Sequence, residues 1–188
     1  MLKEETQKQE VEEVEEKVRL LLEKMDQKYY FFMPCSDIRG WETDSYEQAV
    51  LLLKAGNLYR DAGFFPTAME HYKRSEEKDN RSEITKEEKL ELFRNYRDRL
   101  SQGAQPDQTI EEDFRAFFNK EVNKAKEEIC RYGFGGREWE ANYIVLQFNE
   151  KYRGFKEVSL ALEYLKNVQK IFAQKGEDKI IFNFFLPY

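Results

Sequence analysis

One histidine, two cysteines and 37 carboxylates are the readiest groups in this 188-residue sequence to move a proton, attack a carbonyl or bind a metal. General acid–base work and metal sites need several such groups brought together, and His71 stands alone. It falls one residue before Tyr72, which places it on a helix surface facing water. Cys35 and Cys130 are too far apart in sequence to form a paired metal motif or a disulfide framework. They read as two buried thiols in a reducing compartment. The carboxylates lie among lysines and arginines on charged helical faces; Glu10, Glu12, Glu13, Glu15 and Glu16 form one such face. No Glu-x-x-His pair occurs, so the inward-facing carboxylate sites of helical bundles have no counterpart. Gly133-Phe134-Gly135-Gly136 with Arg137 has the composition of an anion-binding helix start. It lacks a phosphate-loop lysine and a preceding strand, and a helix stop explains it equally well. The expectation is a protein with no catalytic residues, no metal and no cofactor.

Composition narrows the partners. The net charge of −6 disfavours nucleic acid, which is bound chiefly through Lys and Arg on phosphates, and anionic membrane surfaces. No apolar run reaches the 18 residues of a membrane span. The first twenty residues are acidic and polar, unlike a secretory signal. A cytoplasmic protein with protein partners is therefore expected. With 36% charged residues, four prolines and nine glycines, the composition suits long helices.

The elements that must position any site are helical. Val11, Val14, Val18, Leu21 and Met25 form a narrow stripe on a helix expected over 3–30, either a short coiled-coil seam or a helix lying on the domain. Pro34, Gly40 and Trp41 indicate a loop over 31–43. Asp44 and Glu47 then open a helix to about Ala62, Gly63 ends it, and Pro66 suits the first turn of the next, which runs to about Lys78. Capping pairs at Thr85/Glu88 and Thr109/Glu112 predict two further helices. One carries Leu90, Phe93, Tyr96 and Leu100 on a face, the other Phe114, Phe118, Val122, Ala125 and Ile129. Helices over 138–153 and 156–175 flank Gly154, the last with an inner face of Val158, Leu162, Leu165, Val168 and Phe172. Ile180–Leu186 is an apolar, β-prone tail that needs a cover, from the protein's own helices or from another chain.

One segment carries a motif. In Leu52–Asn80, Ala55-Gly56 is a small pair, Tyr59 follows three residues on, Gly63 falls at a turn, and Ala68 and Tyr72 mark a second helix. Gly56 and Ala68 lack bulk, so two antiparallel helices can cross closely there, with Tyr59, Phe65 and Tyr72 filling the space around. The pattern resembles one tetratricopeptide repeat over about 49–82, with Asn80 in place of the usual closing proline. No regular second copy follows: the hairpin around Gly154 has Gln147 and Glu150 where Gly and Tyr belong. A single repeat cannot bury its own faces, so neighbouring helices must cover it.

The resemblance implies protein binding. Members of the family grip a partner's C-terminal carboxylate with Lys and Asn; Asn57 matches the Asn, but Leu53 replaces the Lys, so that clamp is not carried over. Asn57, Arg60 and Asp61 are candidates for a concave groove, and Trp41 and Trp139 for hot-spot contacts. The sequence thus predicts an all-α chain, an irregular helical bundle or short tetratricopeptide-like solenoid of antiparallel hairpins. It comprises a charged N-terminal helix (1–30) and one compact unit (44–188). The expected role is adaptor, scaffold or complex subunit. An enzyme on a phosphorylated or anionic substrate is the alternative, and self-association through the N-terminal helix or the tail is open.

Overall fold

A computed structural model describes residues 2–26, 28–32, 38–42, 45–78, 82–134, 138–174 and 186. The chain is of the all-α class. Its helices are α1 (Leu2–Leu22), α2 (Ser45–Ala62), α3 (Phe65–Lys78), α4 (Ser82–Ser101), α5 (Gln108–Phe134), α6 (Glu138–Lys151) and α7 (Val158–Gln174). None of the described helices is long and apolar enough to cross a membrane. Asp44, Cys35, Gly135, Gly136, Arg137 and the tail from 175 to 185 lie outside the described residues.

The first helix is shorter than its charge pattern suggests. It gives way to a 3-10 turn (Glu23–Asp26) and then to an antiparallel hairpin of β1 (Lys28–Phe32) and β2 (Ile38–Glu42). The expected 3–30 helix and 31–43 loop are both corrected. Tyr-Tyr-Phe-Phe is a strong strand former, and Pro34 and Gly40 punctuate a hairpin as readily as a loop. Trp41 pairs across the ladder with Tyr29. Of the α1 stripe, Val18 is buried at 4% exposure, while Val11, Val14, Leu21 and Met25 are half-buried and their charged neighbours exposed. That face lies on α2, so α1 is a cover for the hairpin helices.

The α2–α3 turn is closed by its glycine. Gly63 has φ +84°; its N–H donates to the Arg60 carbonyl and the Phe64 N–H to the Tyr59 carbonyl, both at 2.8 Å. This paired closure needs a left-handed residue, and Phe64 then packs edge-on against Tyr59 at 6.5 Å. The two helices cross at Gly56. A methyl added there would sit 2.5 Å from the Tyr72 ring and 3.2 Å from the Ala68 carbonyl oxygen. Leu52, Ala55, Ala68 and Tyr72 are fully buried around the crossing, and Ser75 Oγ donates to the Ala49 carbonyl at 2.8 Å.

α4 packs along α3, with Phe65 edge-on to Tyr96 at 5.6 Å and Lys89 paired to Glu76 at 2.6 Å. It begins at Ser82, so Thr85, expected as its cap, is an interior residue at 4% exposure. The cap of α5 is likewise not Thr109. Asp107 Oδ1 accepts from the N–H groups of Thr109 (2.9 Å) and Ile110 (3.2 Å). Tyr96 braces that cap: its hydroxyl accepts from the Asp107 N–H at 2.8 Å and faces the Asp107 carbonyl at 3.3 Å.

Contacts divide the chain into two compact units, 1–110 and 111–188. The N-terminal helix belongs with the hairpin helices, and 44–188 is two units where one was expected. The second unit is built on aromatic rings. Phe114 stacks on Phe118 and Phe155 at 5.6 and 5.1 Å, and Phe118 meets Phe148 and Tyr152 edge-on at 5.8 and 5.6 Å. The predicted α5 stripe is buried throughout. In α7, Val158, Leu165 and Val168 are buried with Ala161, and Leu162 is only half-buried. Leu186, at 9% exposure, donates its N–H to Asn119 Oδ1 at 3.1 Å.

Candidate functional site

Asn57, Arg60 and Asp61 share the C-terminal half of α2, and the first two are occupied by the fold. Asn57 Oδ1 accepts from the buried Tyr72 hydroxyl at 2.7 Å. Arg60, only 12% exposed, pairs with Glu88 of α4 and, at 2.9 Å, with Asp61. Burial opposes its charge, but Tyr72, Asp61 and Glu88 outweigh that and lift the guanidinium above its ordinary pKa. Burial also pushes the Tyr72 phenol up. The cluster therefore fastens α2 to α3 and α4. Asp61 is the exposed member, at 64%, and its charge is met by Arg60.

His71 is a correction. It is 7% exposed rather than facing water, its Nδ1 lying 2.9 Å from the Thr67 carbonyl and its ring 5.1 Å from that of Tyr59. A helical carbonyl one turn back and a neighbouring ring satisfy it within the α2–α3 packing. Burial pushes the Cys130 thiol up, which lowers its thiolate fraction and hence its reactivity. No cluster of three or more metal-ligating side chains occurs among the described residues.

The remaining candidate leads somewhere else. Trp139 is 70% exposed on α6, and two further apolar residues share its side of the helix: Tyr143 at 56% and Leu146 at 61%. The spacing i, i+4, i+7 places all three within an arc of about 60°. Ala141, Ile144, Val145 and Phe148 are buried on the opposite side. α6 is therefore apolar on both faces, one packed and one open. The exposed residues around the stripe are Asn142, Gln147 and Asn149, with Glu150 one turn past Leu146 on the same side, and Asn142 Oδ1 accepts from Gln169 of α7 at 2.7 Å. At 150–250 Å² for each aromatic side chain, the stripe presents about 400 Å² of apolar surface, the size of the largest apolar patch on a typical monomer, which is often a functional one.

The chain matches no known protein family, no curated protein and no solved structure. The α6 stripe must therefore be read from its own geometry.

A second apolar feature, in the first unit, is a notch open to solvent with an empty volume of ≈ 290 Å³, lined by Tyr46, Ala49, Val50, Leu53, Ser75, Ile84 and Thr85. Its enclosed space is only about 30 Å³, far below the size of a small-molecule site, and its described lining carries no charge. Trp139 was visible as a candidate from its type alone. Tyr143 and Leu146 were missed because the buried set of α6 interleaves with them and hides the helical period. The signal that finds them is a helix of 14 residues whose apolar positions fill both faces.

Proposed function

We propose that the chain is a helical protein-interaction module, an adaptor or scaffold, that presents the Trp139–Tyr143–Leu146 face to a protein partner. That open face is the observation that carries the reading. Trp and Tyr dominate interface hot spots, and the polar surround of Asn142, Gln147 and Asn149 is neutral, with Glu150 at one end of the stripe as its exposed charge. In the same reading α2 and α3 form a single tetratricopeptide-like unit, supported by the close crossing at Gly56 and Ala68, with α1 and α4 as its covers. A free thiol at Cys130, held up by burial, suits a reducing, cytoplasmic setting. Arg60 does not serve an anionic substrate in this reading, because it already has two carboxylates as partners.

The test is affinity capture from cell lysate, with the parent chain and with Trp139→Ser/Tyr143→Ser/Leu146→Ser as baits. The expected outcome is a set of proteins retained by the parent and lost with the triple variant. Identical sets on both baits would remove the face from the reading.

A further inference from the structure

We infer that the α6 face docks a second copy of this chain, α6 against α6, antiparallel across a two-fold axis beside Tyr143. The inference rests on the protein-binding reading and names the partner. The stripe is close to self-complementary: Trp139 and Leu146 are equidistant from a point between Asn142 and Tyr143. A two-fold axis there sets Trp139 of one copy on Leu146 of the other and brings the two Tyr143 rings together. A symmetric interface has this property, that the same patch serves both sides.

Charge favours the same occupant. Near a two-fold axis every charge meets its own copy, and like charges across a contact are costly. The exposed side of α6 from Trp139 to Asn149 carries Asn142, Tyr143, Leu146 and Gln147 and no charged residue. Glu140 is set on the flank, half-buried. Glu150, on the same side of the helix, is the first exposed charge, about 11 Å from the axis along the helix. Its two copies then stand about 22 Å apart, beyond the screening length at physiological salt. A chain of net charge −6 repels its own copies on average, and contact through this strip brings no like charges of α6 face to face. A charged partner would find no complementary ion there.

Area sets the strength. Two stripes of about 400 Å² bury about 800 Å² of apolar surface, and the rim of Asn142, Gln147 and Asn149 brings the total towards about 1,200 Å², the lower bound of specific interfaces. The pair is accordingly reversible, forming at micromolar to submillimolar chain concentrations, and not obligate.

Sedimentation equilibrium of the full chain over that range tests it. The expected mass rises with concentration from 22.7 kDa towards twice that value. Tyr143→Glu and Tyr143→Lys should each weaken association at least tenfold, with circular dichroism unchanged because the side chain is more than half exposed. Mixed in equal amounts, the two should associate again, since each Glu then faces a Lys. Leu146→Lys is the second variant and should also be monomeric. A parent that stays at 22.7 kDa throughout overturns the inference, as does a parent dimer that Tyr143→Glu leaves intact. Failure of the mixture to recover overturns the two-fold arrangement. A monomeric parent whose lysate capture still depends on the triple substitution sinks self-docking alone and leaves the protein-binding reading in place.

Discussion

Replacing Gly56 with alanine sets two well-separated magnitudes against each other. In an open helix interior the change would stabilise by about 1 kcal/mol, because glycine has the larger backbone entropy to lose. Here the new methyl arrives 2.5 and 2.7 Å from two carbons of the Tyr72 ring and 3.2 Å from the Ala68 carbonyl oxygen. The ring cannot swing into solvent: Tyr72 is fully buried and its hydroxyl is held by Asn57. Either the ring or the whole of α3 must move back, an overpacking cost of about 2–3 kcal/mol. The net loss is then about 1–2 kcal/mol, a fall in Tm of about 2–8 °C for a chain of this size. Gly56→Leu should lose more. Thermal and denaturant melts measure both. A double-mutant cycle with Tyr72→Leu should return a coupling of about 1 kcal/mol in the direction of relief. Gly56→Ala melting at or above the parent temperature, or a cycle with no coupling, would refute the close crossing.

The cap of α5 gives a second test: Asp107→Ala should cost about 1 kcal/mol and Thr109→Ala much less, because only Asp107 accepts the first amides; equal losses in urea melts would return the cap to Thr109. His71→Ala should destabilise by about 1–3 kcal/mol, since it empties a buried site and strips a partner from the Thr67 carbonyl; an unchanged melt would put the imidazole back in water. Arg60→Met should cost about 1–3 kcal/mol by leaving the half-buried Glu88 without its guanidinium, and Glu88→Gln in that background should recover part of the loss. In a Cys35→Ser background, Cys130 should react with iodoacetamide more slowly than a free thiol at pH 8. Its rate should keep rising at higher pH, because a raised pKa delays the thiolate; a rate equal to that of the urea-unfolded chain would contradict its burial.

Much of the helical architecture was legible because each helix carries its own periodic stripe and its own stop. Phe114, Phe118, Val122, Ala125 and Ile129 repeat at helical spacing and are all buried; Gly63 and Gly154 stand at positive φ where the pattern breaks. Capping was less legible. Thr85, Asp107 and Thr109 all have suitable oxygens, and only the path of the chain decides which one meets a free amide. The β1–β2 hairpin was lost because the charged helical pattern was carried past the end of α1 at Leu22 into Lys28–Phe32, where strand propensity wins, and because Gly40 reads as a loop residue although it lies within β2. For the site, residue type was informative at Trp139 and misleading at Arg60 and Asn57. A polar residue on the exposed side of a local pattern looks available until a third helix, α4, brings Glu88 to it. His71 failed for the same reason: its partner Thr67 is local, but the Tyr59 ring beside it comes from α2.

The turn between α4 and α5 is bounded by two closures that do not depend on it. On one side Gly103, at φ +94°, lets its own N–H reach the Leu100 carbonyl and that of Ala104 reach the Arg99 carbonyl. On the other, Asp107 and the Tyr96 hydroxyl hold the start of α5. Residues 101–106 are exposed throughout, and nothing approaches within 4 Å of a methyl placed on Gly103. The segment from Gln105 to Pro106 is thus a natural splice point. A tag, a protease site or a short inserted domain placed there lengthens a loop whose closure entropy grows only logarithmically with length, while the helix end before it and the helix start after it keep their own hydrogen bonds.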